Sequence, residues 1–180
     1  MPIRETRWDD CELFKIDAKI LDRVKMPGSE KRYLSEVGLP ISAPMPVEGS
    51  FAILPASGEN STTNSTGGYR LCQAMNKPHY LAVGYFNFNE YFGAHKIFCI
   101  NQRLGGVYSF DADNYPMRLV NTSVKRFSES LYCYREFVNA GFEIANLHAL
   151  VKDLRKIDIR AMINTSGYWA MLLDDLSENI

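Results

Sequence analysis

A chain of 180 residues, 46% hydrophobic and 23% charged, has the make-up of a globular protein and enough length to bury a core. A formal net charge of −1 gives no sequence-wide basicity for direct nucleic-acid binding and no acidic excess to attract a basic partner. No apolar run approaches the length needed to span a bilayer, and the N-terminal Met1-Pro-Ile-Arg-Glu-Thr-Arg-Trp-Asp-Asp10 lacks the apolar core of a signal peptide, so the expectation is a cytoplasmic protein without membrane contact.

Between Cys11 and Val37 the positions of Leu13, Phe14, Ile16, Ile20, Leu21 and Val24 suggest helix, broken at Met26-Pro27-Gly28. A second short helix from Ser29 or Glu30 should end at Gly38, a good left-handed terminator, with Pro40 preventing continuation. Pro40, Pro44 and Pro46 keep the chain extended, and Phe51-Ala-Ile-Leu54 is predicted as the first strand. Ala56–Gly68 is rich in Ser, Thr, Asn and Gly with nothing apolar to bury, which predicts an exposed loop; it lacks the strand-to-helix setting and the lysine of a phosphate-binding loop. Tyr69–Met75 reads as another strand.

Tyr80–Tyr85, Lys96–Asn101, Gly105–Phe110 and the run ending at Leu119-Val-Asn-Thr-Ser123 are short β-rich segments separated by Gly, Asn and Asp, the pattern of an antiparallel meander. The periodicity then switches to helical. Val124, Phe127, Leu131, Tyr134 and Val138 form one apolar stripe, with Asn121, Thr122 and Ser123 as candidate N-caps and Asn139-Ala-Gly141 as the C-terminal stop. Ile144, Leu147, Leu150, Val151 and Leu154 mark a further helix. Asp158 is placed to cap the segment after it, and Thr165 or Ser166 to start a last helix carrying Trp169, Leu172, Leu173 and Leu176. The fold class is therefore α+β, in one domain over residues 1–180: N-terminal helices, a central antiparallel sheet of about six strands, and C-terminal helices packed on one face.

Catalytic signatures are missing. His79, His95 and His148 are isolated, and neither a zinc-protease helix motif nor a nucleophile elbow occurs. Cys11, Cys72, Cys99 and Cys133 have no metal-chelating spacing, which predicts reduced thiols, with Cys99 a small hydrophobe inside a strand; no metal or cofactor is expected. A Cys–His pair drawn from Cys72 or Cys99 with His79 or His95 is the one hydrolytic arrangement available, against plain strand-end histidines beside buried thiols. Glu90, Asp111 and Asp113 lie on segments expected to share one end of the sheet, where they are either paired carboxylates, a cation site or ordinary turn chemistry. Tyr85, Phe86, Phe88, Tyr91 and Phe92 crowd one loop, with Asn and Glu90 between them. Aromatics held at a sheet end are interface anchors, or else they fold back beneath a helix. Stacking of nucleic-acid bases is disfavoured because only Lys96 is near.

The order of these features resembles the SUKH superfamily, and within it the bacterial immunity branch with the pattern Val-Asn-Ser-Ser-Leu followed by Phe three residues on. Here the run is Val120-Asn-Thr-Ser-Val124 with Phe127, so Thr122 stands for serine and Val124 for leucine. Gly38-Leu-Pro40 is similar to the family's early Gly-Leu-Pro, and Tyr168-Trp169 to its C-terminal aromatic pair, with tyrosine where tryptophan is common. The resemblance spans roughly residues 34–176. It implies a non-catalytic immunity protein that binds a cognate protein toxin domain, a nuclease or a deaminase among the options, and occludes its active site. The contact surface expected is Tyr85, Phe86, Phe88, Glu90, Tyr91 and Phe92 with Asp111 and Asp113. The alternative within the same superfamily is a non-catalytic interaction scaffold.

Overall fold

The computed structural model describes residues 8, 11–45, 49–53, 79–87, 96–111 and 117–179. The expected strand at Tyr69–Met75 and loop at Ala56–Gly68 lie outside the described residues. The architecture is α+β, as the periodicities require.

The N-terminal segment corrects one expectation. Leu13–Phe14 is not helical but a short strand, β1, paired antiparallel with β2, Leu39–Pro40. The competing term is tertiary: an extended Leu13–Phe14 zips onto the Gly-Leu-Pro segment, and the Ile16 N–H continues the contact to the Leu34 carbonyl. Helix therefore begins only at α1, Ala18–Asp22, where the Asp17 side chain accepts the Lys19 N–H. After the Pro27 break, α2 spans Gly28–Arg32 and runs into a π-helical turn, Tyr33–Val37, that stops at Gly38. Gly38 has φ +94°, and a Cβ there would sit 2.5 Å from the Phe14 carbonyl oxygen, so this glycine serves both the left-handed stop and the close pass of β1.

The main sheet is a six-stranded antiparallel meander: β3 (Ser42–Met45), β4 (Gly49–Ile53), β5 (Tyr80–Asn87), β6 (Lys96–Asn101), β7 (Val107–Asp111) and β8 (Arg118–Asn121). Phe51 is thus in the second strand of this sheet, not the first of the chain; the proline-bearing β3 precedes it. Pro44 is tolerated because β3 is an edge strand, where a missing N–H breaks no second ladder. The β6–β7 turn is built on Asn101, whose Oδ1 accepts the N–H groups of Arg103 and Leu104 while its own carbonyl accepts the Gly105 N–H.

The C-terminal helices are α3 (Val124–Ala140), α4 (Ile144–Ile157), α5 (Ile159–Ile163) and α6 (Tyr168–Asn179). They cover one face of the sheet. Leu81, Val83, Phe98, Ile100, Val107 and Val120 from the strands share a core with Phe127, Leu131, Tyr134, Leu150, Leu154 and Trp169 from the helices. Ring contacts join the sheet to the helices, with Phe98 of β6 5.4 Å from both Phe127 of α3 and Tyr168 of α6. The opposite sheet face buries a smaller group, Ala82, Ile97, Cys99 and Phe110. Cys99 is wholly buried there, the small hydrophobe expected of it.

Candidate functional site

The register fixes which segments meet. Phe86 on β5 is the cross-strand partner of Lys96 on β6, and Lys96 is the partner of Asp111 on β7. Met45 pairs with Gly49, and Ser50 with Asn87. The β3–β4, β5–β6 and β7–β8 connections consequently leave from one end of the sheet. Tyr85 and Phe86 are placed in β5 and Asp111 at the close of β7; Phe88, Glu90, Tyr91, Phe92 and Asp113 lie outside the described residues.

The opposite end of the sheet holds a buried polar knot, and it is made of the motif residues. Asn121 is wholly buried. Its Nδ2 donates to Ser130 Oγ at 3.1 Å and to Asp158 Oδ2 at 3.4 Å, and its Oδ1 accepts the Trp169 indole N–H at 3.0 Å. Every polar atom of the amide is used, which is why this position needs both a donor and an acceptor. Asp158, 1% exposed, collects further bonds from the Thr122 N–H at 2.6 Å and the Thr122 hydroxyl at 3.0 Å, with the Arg126 guanidinium 3.5 Å away. Asp158 stands at the N-cap position of α5 but makes no side-chain cap bond; its carboxylate is committed to Thr122, which corrects the capping role expected of it. Ser123 does cap α3, accepting the Arg126 N–H. Ser166 and Thr165 fall short of the start of α6, whose preceding turn is held by Asn164 Oδ1 accepting the Ser166 N–H.

A second acceptor for α3 arrives from a distant part of the chain. Glu30 Oε2 takes the Val124 N–H at 2.7 Å, while the Ser29 hydroxyl donates to its other oxygen. Gly105, φ +77°, lets the β6–β7 turn press on Glu30: a Cβ would lie 2.7 Å from Glu30 Cγ. This carboxylate, buried at 8% exposure, has no signature in the sequence beyond a place in the first turn of a short helix.

This order of elements, with the Asn-Thr-Ser turn at the head of a long helix and Trp169 bonded back to it, matches a known family across nearly the whole chain. The family model described as SUKH-4 immunity protein covers residues 5–175. The chain belongs to the SUKH-4 immunity protein family. No curated protein and no solved structure is found to match it significantly. For a SUKH-4 member, the knot identifies what the Val120–Val124 run does here: it holds helices to sheet.

Chemistry of the hydrolytic kind finds little support among the described residues. Cys99 is sealed in the sheet and His79 is exposed at the head of β5, so the one described thiol of that pairing has no path to a substrate. Cys72 and His95 lie outside the described residues. Among the described residues, no group of His, Cys, Asp and Glu side chains could hold a metal ion, and no helix is long and apolar enough to cross a membrane.

A cleft opens on the outer side of the helical layer, between α3 and α4, with a volume of about 270 Å³. Its walls include Tyr132, Phe137, Ala149 and Leu150, and its lining carries the carboxylates of Glu136 and Asp153 and the thiol of Cys133. Burial pushes the Cys133 thiol up to about 11, and the carboxylates of Asp153, Glu129 and Glu136 add to the effect against a smaller opposing pull from Lys156. Periodicity marks only Leu150 among these residues, as part of a helix's apolar face. The cleft itself is invisible to it, because a groove between two helices has no linear signature.

Proposed function

We propose that this SUKH-4 protein binds a cognate toxin domain in the bacterial cytoplasm and neutralises it by occlusion, without catalysis. The contact is assigned to Tyr85, Phe86, Phe88, Glu90, Tyr91 and Phe92 together with Asp111 and Asp113. The observation that supports the assignment is the row Phe86–Lys96–Asp111, which sets the closing residues of β5 and β7 on either side of the start of β6, at one end of the sheet. Family membership supports the protective role. Large aromatics interspersed with carboxylates suit a buried anchor with a charged rim, the arrangement in which a few residues carry most of the binding free energy. Occlusion also fits a chain whose polar knot is spent on holding the fold. The toxin, a nuclease or a deaminase among the options, would be blocked by a preformed surface.

The test is rescue. The C-terminal domain of the large gene product encoded beside this chain is induced in a sensitive host with and without it, and survivors are counted. Rescue that is lost on replacing Phe88, Tyr91 and Asp111 by alanine, with folding intact, is the expected result. Rescue that survives those replacements moves the contact elsewhere. Failure of the unaltered pair, both proteins being soluble, favours the interaction scaffold instead.

A further inference from the structure

The C-terminal helices carry their outer charge in two strips of opposite sign. On α4 and α5, Lys152, Arg155, Lys156 and Arg160 are exposed, and Ile159 and Ile163 stand among them at 54% and 68% exposure. Steps of three and four place Lys152, Arg155 and Lys156 on one side of α4, away from its buried Leu147, Leu150 and Leu154. Lys156 is paired with Asp153 at 2.7 Å. Lys152, Arg155 and Arg160 have no carboxylate partner among the described residues, so this strip keeps an excess of positive charge.

The acidic strip lies on α6. Met171, Asp174, Asp175 and Glu178 are exposed, spaced to fall on one side of the helix, opposite the buried Leu173 and Leu176. These carboxylates do not suit their own helix. They crowd its last two turns, at the negative end of its dipole, and Asp174 and Glu178 repel one another one turn apart. No basic residue in the last turn offsets them, and neither Asp174 nor Glu178 is in an ion pair with a described residue. The strips are neighbours, because α6 packs against both α4 and α5, yet no ion pair among the described residues joins them within one molecule.

A single exposed isoleucine is ordinary at a protein surface. Two of them, one at each end of α5 and flanked by Arg160, with Met171 on the adjoining helix, add apolar area to both strips. The surface that matches a basic strip beside an acidic one is the same surface turned through a half rotation. A two-fold axis lays α4 and α5 of one copy on α6 of the other and does the reverse at once, so both strips are neutralised together.

We propose that this face pairs two copies of the chain, the basic strip of each against the acidic strip of the other. The inference does not depend on the immunity reading or on the aromatic loop. The face is small. A helix of this length spans about 18 Å, and packed helix axes lie roughly 8–10 Å apart, which puts the contact at the low end for specific interfaces. A dissociation constant on the order of 10–100 µM at low salt is expected of such a contact.

Sedimentation equilibrium of the full-length protein tests the pairing at about 50 mM and about 500 mM sodium chloride, where the screening length falls from roughly 14 Å to roughly 4 Å. The expected result is a monomer–dimer equilibrium that weakens at least about tenfold at the higher salt. Two charge-reversed variants identify the strips. Lys152→Glu with Arg155→Glu turns the basic strip toward acidic, and Asp174→Lys with Glu178→Lys turns the acidic strip toward basic. Each alone should be monomeric, with a melting temperature close to that of the parent because all four side chains are exposed. Mixed in equal amounts, the two variants should form a heterodimer, seen by native mass spectrometry as their combined mass, since each then meets a partner of opposite charge on both strips. A parent chain that stays monomeric at low salt up to about 500 µM overturns the proposal. So does a dimer indifferent to salt, a reversed variant that still pairs with itself, or a mixture whose two components stay apart. Species larger than a dimer that grow with concentration overturn the two-fold pairing.

Discussion

Asn121 shows how a single side chain can decide the join between sheet and helices. Its amide serves Ser130, Asp158 and Trp169 at once, all of them buried. Replacing it by alanine strands an indole N–H and removes a donor from a buried carboxylate, so Asn121→Ala should cost about 2–5 kcal/mol, read as a lower urea midpoint. Tyr134 is the reverse case. Its hydroxyl is buried without a hydrogen-bond partner among the described residues, and burial pushes its pKa well above the usual phenol range. Tyr134→Phe keeps the ring packing against Trp169 and Phe137 and discards the orphan, so stability should hold or rise by about 1 kcal/mol. Cys133 makes stability depend on alkaline pH. Its folded pKa, about 11, lies above the ordinary value of 9.0, chiefly through burial. The folded state therefore keeps a proton that the unfolded chain gives up. The benefit is complete below pH 9 and is lost as pH rises toward 11. Urea titrations across that window should show a shallower decline for Cys133→Ala than for the parent.

At the level of elements, local signals succeed where the local preference and the tertiary demand coincide. The α3 stripe, the Ser123 cap and the glycine stops at Gly38 and Gly141 are all legible because each follows from backbone sterics or helical periodicity alone. Leu13–Phe14 misleads because its apolar spacing is compatible with helix, and only the Leu39–Pro40 partner makes it a strand. Glu30 is invisible for a similar reason: a carboxylate in a short helix looks solvated until the turn at Gly105 and the head of α3 close over it. Those three parts should stand or fall together. Glu30→Ala, which opens the Val124 amide, and Gly105→Ala, which strains φ and collides with Glu30, should each destabilise by about 1–3 kcal/mol. In the double variant the losses should be less than additive, since the alanine at position 105 no longer meets a glutamate stem. Equilibrium unfolding of the three variants measures the coupling directly.

Across the whole molecule, the meander puts unlike ends on the sheet. One end carries the Asn121–Asp158 knot, the other the connections flanked by Phe86, Lys96 and Asp111. Stability and recognition should therefore separate under mutation. Variants of the knot are expected to lower the melting temperature while the folded fraction binds toxin with unchanged affinity. Alanine at Phe88 and Tyr91 is expected to weaken binding while the melting temperature moves little; calorimetry alongside binding isotherms tests both arms. The α+β order and the meander are readable from periodicity, whereas the knot and the α3–α4 cleft are not, because they join residues distant in the chain. The Glu30–Val124 bond spans 94 positions of the chain. Closing so long a loop costs on the order of 4 kcal/mol of chain entropy before any contact offsets it. The head of α3 is therefore expected to gain this second cap only after the first forty residues have found the sheet. During synthesis those residues leave the ribosome first and are already at hand when α3 emerges. A chain refolding from denaturant has no such head start, and should refold more slowly than its helical content suggests.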